Sequence, residues 1–511
     1  MGRRLYLTVF ESSTPLSKSY RYDEATGTIE KRASAQMSDG WATRRFIECG
    51  PFCTRALEIL GQRLDGLSHL QAIGLGVMRD GVRRTPITTL GRLARMSGDS
   101  ASSTLARSLQ HFTFTAGPGL VLIDNDGGTG TMERLADICS PLRGMASLTR
   151  AAMSASIIHP GTGLTMPSAG EHVYAVIDDQ RRTKEVLTLL HRACFAFGHG
   201  RIDLSKAGSF LQRSAVDVSV GSPERLIFEG RPMAEAPLVV RERPISLVAG
   251  TMLDADELAA WAEANHIERR YRDAVHALES DPELIERRRA VQAAHADELE
   301  ERHRQAGMPS SEARRRARST VQALSRTSLK TGVICLDPDD VFVTGDHSGV
   351  SYRTMLADPA SWHGTIGFDP EEGEAYGHTT AIVYRGDHGG LVIHSQAHGG
   401  RTFMVDPPLS DVQLKALKDI RRAHARAVRE GGHGLAALLQ AVRAKPAALT
   451  RTIADRLVLT ALKSGLPRTA CVHVACASGC GADDARALVE RLARRATIPR
   501  SLGEAHHETT G

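Results

Sequence analysis

The sequence contains no apolar run close to the roughly 20 residues that a membrane-spanning helix requires. The apolar stretch at residues 5–10, behind Arg3 and Arg4, is too short for a secretory signal and has no small-residue cleavage site after it. Its alternating pattern predicts a first β-strand instead. We therefore expect no insertion into a membrane and a cytoplasmic location.

Cysteine is scarce and scattered, with eight residues in a chain of 511. This distribution predicts reduced, mostly buried thiols rather than a disulfide framework. Near the C-terminus, Cys471, His473, Cys476 and Cys480 lie close together, but their spacing does not match the paired CxxC pattern of a structural zinc site. Whether this group binds a metal is left open.

The dipeptide Gly-Lys does not occur, which excludes a P-loop of the GxxxxGK[ST] kind. The chain is therefore predicted not to be a P-loop ATPase or helicase itself. Its net charge of +5 and its pI near 8.8 permit a polyanionic partner without requiring one.

The composition and the apolar pattern of the sequence change along the chain and predict an α+β protein in several segments. Short β-like runs alternate with helical stretches up to about residue 250, and a charged, Ala-rich part follows, in which Asp254 and Glu257 resemble a capping box that opens two or three helices. The predicted segments are an N-terminal α+β part (1–110), an α+β core (111–250), a charged helical segment (251–330), a small β-rich region with many Gly and His (331–408), a helical C-terminal region (409–500) and a disordered tail (501–511).

Four runs are predicted to be strands, and one stretch has clear helical periodicity. The runs are LYLTVF (5–10), GLVLIDND (119–126), HVYAVIDD (172–179) and ERLIFEG (224–230), and the helix is predicted over residues 183–197.

The most informative segment is GLVLIDNDGG at residues 119–128. Asp124 and Asp126 lie two residues apart, so on a strand both carboxylates point to the same face. Such a pair repels itself unless a cation neutralises it, and Mg²⁺ or Mn²⁺ prefers oxygen ligands of this kind. The pair predicts a site for metal-assisted phosphoryl transfer. An alternative stays open, because Asp-Asn-Asp-Gly-Gly is also good turn chemistry.

Two later segments add a histidine and a third carboxylate. His172 follows Gly170 at the start of a strand-like run, and Asp217 ends the apolar stretch GSFLQRSAVD. Each has a structural alternative, since a lone strand histidine can serve packing and an aspartate at a strand end can act as a cap.

The order of these motifs is that of a known superfamily. A DxD strand, a small-x-His strand and an apolar-Asp strand together resemble the archaeo-eukaryotic primases, in the branch carried by bacterial plasmids, phages and integrative elements. The runs GHGRIDLSKAGSFLQRSAVD and SVGSPERLIFEG are similar to the sequence around the third motif of those proteins, and TPLSKSYRYDEATGTIEK and HSQAHGGRTF resemble segments of mobile-element primases. The resemblance touches most of the first 405 residues. It implies that residues 111–250 form a primase-polymerase catalytic core, an antiparallel or mixed sheet with flanking helices.

The resemblance implies a bacterial DNA primase-polymerase that uses nucleoside triphosphates on a single-stranded DNA template. It further implies that Asp124, Asp126 and Asp217 ligate Mg²⁺ or Mn²⁺ and that His172 contacts the phosphates of the incoming nucleotide. From charge and position we add Lys206 and Arg213 as cations for the triphosphate, with a surface role as the alternative for Lys206.

The sequence also departs from the family pattern. The loop HPGTGLTMPSAGE (159–171) stands where relatives carry an Arg-Pro-Ser type of sequence, which leaves its polar contacts undefined. Many relatives continue into a helicase module that is not found here, so the chain either acts with a separate replicative helicase or is a shortened form.

Other functions and sites remain open at this point. One is a catalytically silent or origin-binding replication protein that keeps the primase fold. Residues 483–494 could then belong to a helix-turn-helix, although core packing is the commoner explanation for such an amphipathic stripe. Another is a metal-dependent nuclease or phosphohydrolase. His394 and His398 have a spacing compatible with a metal on a helix, but the surrounding sequence favours a strand-to-turn and a structural role.

Overall fold

A computed structural model of the chain describes residues 3–405 with short gaps, and beyond residue 405 only Val458, Ala485, Arg486 and Val489. The gaps are 33–36, 38, 94–95, 99–101, 167–169, 244, 306, 328–332, 337, 375–378, 387–389 and 398–399. Apart from those four positions, the predicted C-terminal helical region, the tail and the Cys471, His473, Cys476 and Cys480 group lie outside the described residues.

The chain divides into two compact units. The first comprises Met1–Val291 with Glu374–His378 and His398–Gly400, and the second comprises Gln292–Gly373, Thr379–Ala397 and Arg401–Gly511. Both contain helices and strands, so the predicted α+β class is confirmed.

The strands of the first unit are β1 (Arg3–Ser12), β2 (Ser19–Asp23), β3 (Thr28–Arg32), β4 (Asp39–Cys49), β5 (Gln71–Gly74), β6 (Val77–Met78), β7 (Arg84–Thr88), β8 (Leu105–Ala106), β9 (Phe112–Thr113), β10 (Gly119–Asn125), β11 (Ser147–Ala151), β12 (Ile157–Ile158), β13 (Glu171–Ile177), β14 (Arg201–Leu204), β15 (Phe210–Arg213), β16 (Met233–Ala234), β17 (Val239–Val240) and β18 (Ile245–Val248). Its helices with described bounds are α1 (Thr54–Asp65), α2 (Leu90–Leu93), α3 (Thr131–Ile138), α4 (Thr183–Ala196), α5 (Ala255–Ala264) and α6 (Ile267–Glu279), and the division between the units falls within α7 (Pro282–Gln305).

Two sheets build the core of the first unit. One has the strand order β5-β1-β4-β7-β8, and the other is antiparallel throughout with the order β10-β13-β11-β18. Their apolar faces and those of α1 and α4 meet in one continuous cluster that includes Leu5, Leu57, Leu122 and Leu187. Residues 1–110 and 111–250, which the sequence divides into two parts, therefore share a single core.

Three of the four predicted strands form, and the fourth is wrong. Residues 224–230 pair only through an isolated bridge, in which Ile73 and Ile227 exchange both backbone hydrogen bonds, at 3.1 and 2.8 Å. The run is held at both ends by close packing rather than by a ladder: a Cβ on Gly76 would lie 2.4 Å from Pro223, and one on Gly230 would lie 2.3 Å from the Ser68 carbonyl oxygen.

The charged segment after residue 250 forms four helices, where two or three were predicted. Asp254 caps α5 by accepting from the backbone N–H groups of Asp256 and Glu257, as expected for a helix start. The additional break comes at His266, whose φ of 52° is left-handed and ends the helical geometry between α5 and α6. Periodicity alone does not reveal such a residue.

The described part of the second unit is rich in β-structure between residues 333 and 405. Its described helices are α8 (Ser310–Thr327) and α9 (Tyr352–Ala357), and its described strands are β19 (Val333–Cys335), β20 (Val341–Val343), β21 (Gly349–Ser351), β22 (Ile366–Gly367), β23 (Ala381–Arg385), β24 (Leu391–Ser395) and β25 (Arg401–Val405). Five of the strands form a sheet of order β19-β25-β24-β23-β22. His394 lies on β24 with Nδ1 3.4 Å from Thr402 Oγ1, and His398 is outside the described residues.

In the part of the chain that the structure describes, no helix combines the length and the apolar character needed to cross a bilayer. Cys49, Cys53, Cys139 and Cys194 are buried free thiols, which is the state predicted for them.

Candidate functional site

The first two motifs meet at one end of the β10-β13-β11-β18 sheet. The antiparallel register places Asp124 of β10 directly opposite His172 of β13. Residues opposite each other in such a pair point to the same face. His172 Nε2 accordingly lies 3.5 Å from Asp124 Oδ1.

Asp126 lies one residue beyond β10, in a turn, so the prediction that it shares the strand with Asp124 is wrong. The turn is made by Asn125, whose Oδ1 accepts from Gly127 N–H at 2.9 Å and whose Nδ2 donates to the Gly128 carbonyl at 3.1 Å. The turn chemistry noted in the sequence thus operates through Asn125. It leaves Asp126 exposed beside Asp124.

Glu171 fixes the loop that carries Asp126. Its carboxylate accepts from the backbone N–H groups of Gly130 and Thr131 at 3.1 and 3.0 Å and from Thr131 Oγ1 at 2.9 Å, at the start of α3. A carboxylate is favourable at a helix N-terminus. Glu171 is therefore occupied by a structural role, although it is adjacent to His172.

Gly170 allows β13 to approach this loop. A Cβ at this position would lie 2.9 Å from the Asn125 carbonyl oxygen and 3.4 Å from Asp126 Cα. The space beside the histidine that the sequence suggested is therefore filled by the backbone of the Asp-Asn-Asp turn.

Asp217 reaches the same place, but not from the end of a strand as predicted. β15 ends at Arg213, and Asp217 caps a short 3-10 helix, Val218–Val220, by accepting from Ser219 N–H and Oγ–H, both at 2.8 Å. Ser214 ends the strand because its Oγ accepts from the Val216 N–H at 3.1 Å, a local bond that competes with pairing. The backbone N–H of Asp217 donates to the Asp124 carbonyl at 3.1 Å, which holds the third motif beside the first.

Asp124 lies within the electrostatic influence of the other two carboxylates. Burial raises the pKa of Asp124 to about 6; His172 opposes this shift, and the charges of Asp126 and Asp217 add to it. Negative charge is therefore concentrated at this end of the sheet.

A buried acid that sequence reasoning missed lies behind His172. Glu229 Oε1 accepts from His172 Nδ1 at 2.5 Å and from the Tyr174 hydroxyl at 2.9 Å, while Oε2 lies 2.9 Å from Arg243 Nη1 and 3.3 Å from Arg150 Nε. Burial opposes its ionisation, but His172 and the two arginines outweigh burial and bring the pKa of Glu229 to about 2. Glu229 also lines a cavity of about 430 Å³.

Glu229 fixes the orientation of the imidazole. With Nδ1 engaged by Glu229, the other nitrogen, Nε2, faces Asp124. Burial disfavours a charged imidazole, yet Glu229 and Asp124 together raise the pKa of His172 above its ordinary value. A carboxylate that holds the rear nitrogen of a functional histidine is a recurrent arrangement in protein sites.

The two predicted cations lie on the β14-β15 hairpin. Lys206 is in its turn, and Arg213 Nε is 3.8 Å from Asp203 Oδ2. Arg201, directly opposite Arg213 in the register, lies beside the loop that carries Asp126, since a Cβ on Gly127 would lie 3.6 Å from Arg201 Nη1. Nothing in the sequence distinguishes Arg201 from the other arginines.

Two lysines add positive charge from another element. The positive charge of Lys18, just before β2, favours the ionised form of Asp124 and disfavours the charged form of His172. The carboxylate of Asp126 in turn favours the charged form of Lys31 on β3. Desolvation and then the neighbouring Lys18 lower the pKa of Lys31. Sequence reasoning used this segment only for its family resemblance.

No known protein family, curated protein or solved structure matches this chain. The functional interpretation therefore depends on the site itself. The structure brings together the predicted residues of the three motifs, which are Asp124, Asp126, His172 and Asp217. It places Lys206 and Arg213 on a hairpin, of which Arg201 lies beside the Asp-Asn-Asp turn.

The site offers carboxylate oxygens, the donors that a divalent cation such as Mg²⁺ prefers. In the described part of the chain, no three His, Cys, Asp or Glu side chains are arranged as a ready metal site. The crowded carboxylates nevertheless suit a hard ion, because Mg²⁺ commonly takes one or two carboxylates and completes its shell with water and substrate phosphates. Asp124 and Asp126, with Asp217 adjacent, fit that kind of open site.

Proposed function

We propose that this chain is a DNA primase-polymerase, a nucleotidyltransferase that extends a primer on a single-stranded DNA template. The observation that carries the proposal is the meeting of Asp124, His172 and Asp217 at one end of one sheet. These residues come from three separate segments, in the motif order that resembles the archaeo-eukaryotic primases of bacterial mobile elements.

The carboxylates would hold the metal. Asp124, Asp126 and Asp217 offer oxygen donors to Mg²⁺ or Mn²⁺, which when bound supplies charge neutralisation at the phosphates and a more acidic primer hydroxyl. The raised pKa of Asp124, caused first by burial and then by the neighbouring acids, is what a cluster built to face a cation is expected to have.

His172 would bind a phosphate oxygen of the incoming nucleoside triphosphate through Nε2. Glu229 holds the opposite nitrogen at 2.5 Å, so the ring cannot rotate without losing that bond. In the reaction the primer 3′-oxygen bonds to the α-phosphorus, the α–β anhydride bond breaks and pyrophosphate leaves.

Cationic side chains would hold the rest of the triphosphate. Arg213 and Lys206 were expected in this role, and Arg201 supports it with a guanidinium beside Gly127. Arginine suits the task because its planar fork binds phosphate oxygens in pairs. Working in the bacterial cytoplasm, the enzyme would receive unwound template from a separate replicative helicase.

A nucleotide-incorporation assay tests the proposal. The protein is incubated with single-stranded DNA, Mg²⁺ or Mn²⁺ and labelled nucleotides, alongside Asp124→Ala/Asp126→Ala. The matched control is Asp273→Ala, which removes a carboxylate that is 73% exposed on α6. We expect product with the wild type and the control and none with the double variant. Absence of product from the wild type, or undiminished product from the double variant, would contradict the proposal.

A further inference from the structure

One face of the N-terminal sheet carries arginines and aromatic rings in alternation. Tyr6 of β1 lies directly opposite Phe46 of β4, with ring centroids 6.3 Å apart. The Arg4 guanidinium lies 4.6 Å from the Phe46 ring centroid, and that of Arg44 lies 4.1 Å from the Tyr6 centroid. Because alternate residues of a strand share a face, these four side chains form one continuous patch, here called the arginine–aromatic row.

The row lies on the side of the sheet that faces away from the main core. Leu5, Leu7 and Ile47, which are sequence neighbours of the row and point to the other face, are buried in that core. Phe46, by contrast, is 43% exposed, although it is a large apolar side chain. The row therefore presents the exposed ring of Phe46 to a ligand, beside the half-buried ring of Tyr6.

Arg4 and Arg44 give the row positive charge. In the part of the chain that the structure describes, Arg4 and Arg44 form no ion pair, even though Glu48 lies opposite Arg4 in the register. A further arginine adjoins it, since the Arg83 carbonyl accepts from the Arg44 N–H at 2.8 Å. A partner that binds here must be anionic and must also offer flat groups that pack on aromatic rings.

We propose that the arginine–aromatic row binds single-stranded DNA, with unpaired bases stacking on Phe46 and Tyr6 and the guanidinium groups contacting the phosphates. Base stacking on aromatic side chains and cationic contacts to the backbone are the two means by which proteins hold single strands without sequence preference. A duplex fits less well, because its bases are already stacked on one another. The choice of DNA rests on the proposed function; binding by the row does not need catalysis.

The test is binding of fluorescent oligothymidylate, measured by anisotropy in the presence of a chelator and without nucleotides. The variants are Phe46→Ala, Tyr6→Ala/Phe46→Ala and Arg4→Ala/Arg44→Ala. The control is Trp41→Ala/Arg84→Ala. It removes another arginine–aromatic pair, in which the Arg84 guanidinium lies 4.5 Å from the Trp41 ring centroid, from the opposite face of the same sheet. Thermal unfolding checks that each variant is folded. Phe46→Trp, which keeps an aromatic ring at this position, should bind as the wild type does, in contrast to Phe46→Ala.

We expect each double variant of the row to weaken binding by about tenfold or more, since stacking contributes roughly 1–3 kcal/mol per base. The variant Arg4→Ala/Arg44→Ala should also lower the salt dependence of binding. The slope of log Kd against log salt concentration should be smaller by about 1.4, because two phosphate contacts are lost. The control should bind within about twofold of the wild type, a change that is small beside a lost stacking contact.

Three results would overturn the inference: folded row variants that bind normally, a control that weakens binding equally, or tighter binding of oligouridylate or duplex DNA than of oligothymidylate. A wild type that binds through the row but incorporates no nucleotide would contradict the proposed function and leave this inference standing.

Discussion

Glu229 accepts a hydrogen bond from His172 Nδ1 over 2.5 Å, and this contact determines which nitrogen of the imidazole faces Asp124. The two residues lie 57 positions apart. Neither motif spacing nor local pattern connects them, yet the pair joins the buried arginines behind the site to the carboxylates in front of it.

Glu229→Gln should impair both folding and activity. The substitution keeps the shape but leaves Arg150 and Arg243 facing a neutral amide in a buried position, which should cost about 3 kcal/mol or more of stability. Nucleotide incorporation should fall by more than about tenfold, because His172 loses the charged partner that orients it. Urea denaturation and the incorporation assay measure the two effects.

The matched control for Glu229→Gln is Tyr174→Phe, which removes only the 2.9 Å hydroxyl contact to the same carboxylate. It should cost about 1 kcal/mol and leave incorporation nearly unchanged. If Glu229→Gln behaved no worse than Tyr174→Phe, the role assigned to Glu229 would be wrong.

The contribution of Glu229 to stability should disappear in acid. Its pKa is lowered from 4.5 to about 2, against burial and by His172 and the two arginines, so the folded state favours the ionised form. The corresponding stabilisation, roughly 3 kcal/mol, is fully present above about pH 4.5 and is lost as the pH falls through about 2. The stability difference between the wild type and Glu229→Gln, followed by urea denaturation at decreasing pH, should therefore shrink. A difference that stayed constant, or grew, would be inconsistent with an ionised Glu229.

Asp217→Asn should separate the structural role of Asp217 from its chemical role. Asparagine caps helices about as well as aspartate, so stability should change by less than about 1 kcal/mol. Incorporation should fall by about a hundredfold or more if the carboxylate serves as a metal ligand. Ser219→Ala is the control, because it removes only the 2.8 Å Oγ contact to the same carboxylate and should retain activity. Full activity of Asp217→Asn would remove Asp217 from the proposed metal site.

Gly170→Ala should disturb the Asp-Asn-Asp turn. The added Cβ would lie 2.9 Å from the Asn125 carbonyl oxygen, which is backbone and cannot move cheaply. We expect destabilisation of about 1–3 kcal/mol and reduced incorporation through displacement of Asp126. Gly144→Ala is the matched control, since its Cβ would meet no atom within 4 Å. Equal thermal stability of the two variants would contradict the close approach of β13 to the turn.

The features that the sequence predicted well are those encoded locally. Apolar or alternating runs predict β1, β10 and β13, and apolar residues at helical spacing predict α4. Each of these elements can therefore be recognised from its own segment alone. The DxD and Gly-x-His motifs lie on or next to these strands, which is why Asp124 and His172 could be chosen without knowing their register.

The features that the sequence missed depend on contacts made far along the chain. Glu229 looks like an acid after an apolar run; only the fold shows that it is buried against His172 and Arg243. The apolar residues before Asp217 predict a strand that reaches it, whereas Ser214 ends that strand earlier with a side-chain hydrogen bond. Arg201 became a candidate only when the hairpin brought it beside Gly127.

The central claim is that the carboxylates and His172 perform template-directed nucleotidyl transfer rather than another phosphoryl transfer. Its most direct test is a labelled primer annealed to a DNA template with a single-stranded overhang, incubated with Mg²⁺ or Mn²⁺ and one nucleotide at a time. We predict that the wild type lengthens the primer only with the complementary nucleotide and that Asp124→Ala/Asp126→Ala does not lengthen it. A primer that is shortened, or that stays unchanged with every nucleotide and either metal, would contradict the claim.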